Sequence, residues 1–144
     1  MWIYKNKPFI EIPEGFIGFT YKITCISQSN KFYGWTYFGM KNFFSTTTKK
    51  LGKKAIAALP DKRMSKKITT TNESNWRNYN SSSKELQELI KKNPTHFKKE
   101  IIDLCKTKKQ MSFKELELLI KNDVLYDDKN WNQNVLNRYF RKDV

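Results

Sequence analysis

Histidine and cysteine, the usual carriers of nucleophilic and metal chemistry, are scarce in this chain, and lysine is abundant. His96 is the single histidine, which excludes His-rich metal sites and mechanisms that need two imidazoles. It follows a proline in NPTHFKKE, at the entry to an apolar run, where a structural or surface role suits it better than that of a lone base. Cys25 and Cys105 lie far apart with no CxxC or Cys-x-x-His spacing. Neither a zinc site nor a disulfide scaffold is indicated, and both are expected to be buried thiols. What the chain does offer is positive charge at close spacing, in Lys49, Lys50, Lys53, Lys54, Lys62, Arg63, Lys66 and Lys67. Such a cluster could track a phosphate backbone, and it equally suits a solvated face or tether.

The charge extends to the whole chain. Twenty-eight Lys plus Arg against fourteen Asp plus Glu give a formal charge of +14, which makes a polyanion, and nucleic acid first, the natural partner. At 144 residues, with 38% hydrophobic and 15% aromatic residues, the chain suits one domain, 1–144, with a real core. No run approaches the roughly 18 apolar residues of a membrane span. The opening MWIYKNKPFIEIPEG is not a basic segment followed by a long apolar run, so no membrane role and a cytoplasmic location are expected.

Several elements are readable from periodicity. FTYKITCI (Phe19 to Ile26) is dominated by β-branched and aromatic residues and reads as a strand. SQSN is turn chemistry, and KFYGWTYFGMKNFF (Lys31 to Phe44) supplies the second strand of an antiparallel hairpin. Gly34 and Gly39 within it suggest a bulge or a close backbone approach. The stretch at about 45–75 is basic, Thr-rich and poor in large apolars. A short helix is expected in KKLGKKAIAAL before Pro60, and the remainder reads as a mobile insertion.

Ser82 or Ser83 then caps a helix carrying Leu86, Leu89 and Ile90, which Pro94 stops. HFKKEIIDLC suits a third strand beside the hairpin. SFKELELLIKNDVLY, with Ser112 as cap and Glu115 three residues on, fits a capping box. The last segment, NWNQNVLNRYFRK, is expected as a short terminal helix or loop. The order is that of an α/β (α+β) fold, a small three-stranded antiparallel sheet flanked by helices.

The FTYKIT run, YFG a short distance on, a late helix bearing glutamates and a later aromatic-Asn pair together resemble the GIY-YIG endonuclease family. MWIYKNKPF, NWRNYNSSSKEL and FKKEIIDLCK are similar to stretches of a phage-encoded, homing-endonuclease-like subgroup, so the resemblance covers most of the chain. It implies a DNA endonuclease, of nicking or homing type, that uses Mg²⁺ or Mn²⁺ and needs no small-molecule cofactor. Tyr21 stands at the first-motif tyrosine, whose phenol would help deprotonate the attacking water. Tyr37 stands at the second, with Tyr33 as a rival, and Gly39 is the motif glycine. The metal-binding glutamate would be Glu115, with Glu117 as second choice. Two positions apart on a helix, only one of these can serve the site. Asn132, after Trp131, matches the family's late asparagine.

The resemblance also marks departures. Met40 stands where a lysine is usual, with Lys41 adjacent but expected on the other strand face. No arginine stands near Thr47, and Lys49 and Lys50 cannot reproduce an arginine fork on phosphate. The alternative to an active nuclease is therefore a catalytically weakened nucleic-acid-binding protein on the same fold, with the basic insertion supplying affinity.

Overall fold

The computed structural model describes residues 1–59 and 67–144. In chain order, the short strands β1 (Trp2–Tyr4) and β2 (Lys7–Pro8) precede the hairpin β3 (Gly18–Cys25) and β4 (Thr36–Asn42). Strand β5 (Phe44–Lys50), helix α1 (Lys53–Ala57) and strand β6 (Lys67–Glu73) follow. Helix α2 (Lys84–Lys92), strand β7 (Phe97–Cys105), helix α3 (Lys108–Lys121) and the small strands β8 (Asn134–Val135) and β9 (Tyr139–Phe140) complete the chain.

The three antiparallel strands expected from the sequence are β4, β3 and β7, and two more extend them to give the order β2-β1-β7-β3-β4. The extension is the N-terminal arm, whose β1 runs parallel to β7. Its anchor is Trp2, which packs edge-on to Phe19 and Tyr21 at centroid distances of 5.0 and 5.1 Å. The Trp2 indole N–H donates to the Trp76 carbonyl at 2.6 Å, so the ring is buried with its one polar atom satisfied.

Each face of the sheet has its own core. Phe19, Tyr21 and Ile23 of β3 join Trp2, Phe43, Trp76 and the α2 residues Leu86 and Ile90. Phe38 of β4 points the other way, to Leu119 of α3 with Val124 and Val135. Cys25 and Cys105 are buried free thiols. His96 ends a short 3-10 turn, with its Nδ1 3.2 Å from Asn30 Nδ2.

Three expectations need correction. Helix α3 starts well before Ser112: Thr107 is its cap, accepting the Gln110 N–H at 3.1 Å. Gln110 in turn accepts the Lys106 N–H at 2.8 Å. The earlier capping pair prevails because Met111 is a core residue that a later start would leave in the loop. The insertion is not structureless where described, for β5 and β6 pair antiparallel from Phe44↔Glu73 to Lys50↔Lys67. Helix α1 matches the short helix expected before Pro60, while Lys62, Arg63 and Lys66 lie outside the described residues. The terminal segment forms the hairpin β8–β9 and a 3-10 turn rather than a helix. Among the described residues no helix is long and apolar enough to cross a membrane.

Candidate active site at the open edge of strand four

Strand β4 lies at the edge of the sheet, so its outward backbone groups must find partners elsewhere. Thr36 exchanges bonds of 3.0 Å with the carbonyl of Lys129 and the N–H of Trp131. Two residues on, the Asn132 side chain accepts the Phe38 N–H at 2.9 Å and donates to the Phe38 carbonyl at 2.8 Å. Two further on, the Met40 N–H donates to the Glu115 carboxylate. Asn132 and Glu115 thus occupy successive rungs of one strand edge. With Tyr37, Ser82 and Ser83 they line a cavity of about 390 Å³.

The tyrosines arrive from the sheet. The register of β3 against β7 shifts between Thr20 and Tyr21, a bulge that turns the strand at this point. The Thr20 hydroxyl accepts the Asp103 N–H at 3.1 Å and holds the irregularity in place. Beyond it, Tyr21 stacks on Tyr37 at 6.2 Å and meets Tyr79 edge-on at 6.0 Å. Gly39 lies opposite Tyr21 across the hairpin. A side chain there would begin 2.6 Å from Tyr21 Cζ, so the phenol requires glycine at this position. The Tyr37 hydroxyl lies 2.7 Å from Ser82 Oγ. Ser82 is available for this because Ser83 is the α2 cap, accepting the Leu86 N–H at 3.3 Å. Tyr33 is 50% exposed on the turn before β4 and does not join the cluster.

Burial dominates the electrostatics. Tyr21, 1% exposed, has its pKa raised well above the ordinary value by burial, then by Tyr37, Tyr79 and Glu115. Burial raises Tyr37 as well, against the bond to Ser82, and raises Glu115 against the Met40 N–H. Positive charge comes from Lys41, whose ammonium sits 4.2 Å from the centroid of Tyr79. Its own pKa is lowered by burial. Lys41 therefore shares the tyrosine side of the strand, opposite to Met40.

The structure brings Tyr21, Tyr37, Gly39, Glu115 and Asn132 together, with Lys41 beside them through Tyr79. Glu117 is exposed and pairs with Lys114 at 3.7 Å. Lys49, Lys50, Lys53 and Lys54 are exposed on β5 and α1, and none of them lines the cavity. Lys67 stands in β6. Sequence reasoning took Ser82 only as a candidate helix cap and passed over Tyr79. It also passed over Lys99, whose ammonium donates to the Tyr79 carbonyl at 2.7 Å and to Asn80 Oδ1 at 3.0 Å. The signal for Lys99 was its phase, since it falls on the same face of β7 as the buried Phe97 and Ile101. Arg141 was missed too. Its guanidinium donates to the carbonyls of Asp127 and Asn132, both at 2.7 Å, and fixes the segment that carries Asn132.

A family model described as "Putative endonuclease segE, GIY-YIG domain" matches residues 2–143. No curated protein and no solved structure matches the chain. The matched family makes nuclease the class of activity and nucleic acid the class of substrate.

Proposed function

The chain belongs to the GIY-YIG endonuclease family, and on that premise we propose that it hydrolyses DNA phosphodiester bonds at the face formed by Tyr21, Tyr37, Gly39, Lys41 and Glu115. The observation that carries the proposal is the convergence of Glu115, Tyr37 and Ser82 on one cavity next to Tyr21, with Glu117 turned to solvent. Phosphodiester hydrolysis needs a positioned water, compensation of charge on the phosphate, and a cation near the leaving oxygen.

The chain's own residues divide this work. Burial keeps both phenols protonated at neutral pH, so Tyr21 and Tyr37 act first as hydrogen-bonding groups that orient the water. Proton removal by Tyr21 becomes feasible only with a cation close enough to stabilise a buried phenolate. The charge facing the phosphate is assigned to Lys41, which lies over the Tyr79 ring. Asn132 is a positioning residue, because both ends of its side chain are taken by the Phe38 backbone. One such site among the described residues makes a single-strand nick the expected product of each encounter.

The donor set suits a divalent ion held loosely. Glu115 is a half-buried carboxylate, accepts one backbone N–H, and has no ion pair among the described residues. Those residues also contain no group of three or more His, Cys, Asp and Glu able to cage a metal. Mg²⁺ is commonly held by one or two carboxylates, with water and phosphate oxygens completing its shell. When bound by Glu115, such an ion supplies charge neutralisation at the scissile phosphate.

The weakened binding module remains the second reading, for a specific reason. Met40 and Thr47 stand where the resemblance expects Lys and Arg, and Thr47 lies on an exposed strand. Incubating supercoiled plasmid with the chain in Mg²⁺, Mn²⁺ or EDTA separates the two. Nicking is expected in either metal and absent in EDTA, and Lys41→Met is expected to slow it by about 10²–10³. Salt-sensitive DNA binding without nicking in any metal would replace the endonuclease reading with the binding module.

A further inference from the structure

Strands β5 and β6 form a two-stranded ribbon whose composition differs from the rest of the chain. In register, Ser45, Thr46, Thr47 and Thr48 face Asn72, Thr71, Thr70 and Thr69, so hydroxyl and amide side chains line both faces. β5 is exposed along its whole length and β6 from Ile68 to Glu73. A ribbon with no buried face gains little stability from its own pairing in water, so folding gives no account of this sequence. Its charge is one-sided as well. From Phe44 to Asn72 the single acid is Asp61, against Lys49, Lys50, Lys53, Lys54, Lys62, Arg63, Lys66 and Lys67.

The base of the ribbon adjoins the tyrosine face. A cleft of about 420 Å³ is lined by Lys41, Phe44, Thr46, Thr71 and Lys108, and Lys41 is the same lysine that lies over Tyr79. By strand alternation, Thr48 and Thr69 share the face of Thr46 and Thr71. Through Lys41, the cleft that holds Thr46 and Thr71 thus borders the tyrosine cluster.

We propose that the ribbon enters the major groove of a DNA duplex, with Thr46, Thr48, Thr69 and Thr71 against base edges and Lys49 and Lys50 on phosphates. The proposal rests on the nuclease reading for its choice of partner. The B-form major groove, about 12 Å wide, admits a two-stranded ribbon, whereas the minor groove at about 6 Å is too narrow. Double-stranded RNA is disfavoured because its major groove is deep and narrow. Threonine can donate and accept a hydrogen bond at a base edge, and its methyl can contact that of thymine.

Dimethyl sulfate tests this, because it methylates guanine N7 in the major groove and adenine N3 in the minor groove. A duplex fragment is probed at saturating protein with the Glu115→Gln chain, which holds DNA uncut. The same chain is then probed with Thr46→Val, Thr48→Val, Thr69→Val and Thr71→Val added, which keeps the β-branched shape and removes the hydroxyls. A Thr→Ser set at the four positions is the matched control. Guanine N7 protection that survives serine and is lost with valine is expected. In the chain with native Glu115, the valine set is expected to lower preference among mapped nick sites at least about tenfold. Protection of adenine N3 alone, unchanged N7 protection with valine, or no protection of either base would overturn groove insertion, whether or not plasmid is nicked. Ribbon-dependent N7 protection by a chain that nicks nothing would uphold groove insertion and remove the nuclease reading instead.

Discussion

Glu115 and Asn132 each do two things at once. Both satisfy a backbone group on the edge of β4, and by doing so both are held at the mouth of the same cavity. In the sequence these residues were identifiable by family resemblance, but their bond to the edge strand was not, since it joins positions far apart in the chain. Lys99 shows the converse. Its inward phase on β7 was visible, but its partners, the Tyr79 carbonyl and Asn80 Oδ1, lie on a loop whose path only the folded chain defines. This lysine is 8% exposed and its pKa is lowered to about 8 by burial. An unfolded lysine keeps its proton to about pH 10.4, so between the two values the unfolded chain binds more protons and stability rises with pH. The unfolding midpoint of the native chain is therefore expected to rise relative to that of Lys99→Met as pH goes from about 8 to about 10, as followed by circular dichroism. Parallel pH profiles for the two proteins would contradict this account of Lys99.

At the scale of elements, the edge of β4 controls the site. Residues 129–132 run along it as a cover, tied to Thr36 and Phe38 and pinned from behind by Arg141. Asn132→Ala would leave the Phe38 N–H and carbonyl without partners in a buried setting. A loss of about 2–4 kcal/mol in urea unfolding is expected from two unmade bonds, together with slower cleavage as the cavity wall shifts. A change below about 0.5 kcal/mol would mean that the edge finds other partners. The hairpin, α2 and the third strand were legible because their apolar periodicity and turn residues are local. The start of α3 was not, because Thr107-x-x-Gln110 and Ser112-x-x-Glu115 carry the same cap signal and Met111 decides between them only through burial. The arm was opaque for a similar reason, as β1 is a strand only by virtue of β7.

For the molecule as a whole, the formal charge of the chain is +14. Duplex binding should be strongly salt-dependent, with log Kobs falling against log salt at a slope between about −4 and −8 by fluorescence anisotropy. A slope near zero would indicate a partner other than nucleic acid. The resemblance that covers most of the sequence also gives the order of the site residues, while the distances between them come only from the fold. The central claim is that Glu115, and not Glu117, anchors phosphodiester cleavage. Its most direct test is nicking of supercoiled plasmid in Mg²⁺ by the native chain, Glu115→Gln and Glu117→Gln prepared identically. Loss of at least about 10²-fold in the first variant, with the second near the native rate, is the predicted result. Equal nicking by all three, or loss in Glu117→Gln alone, would contradict it.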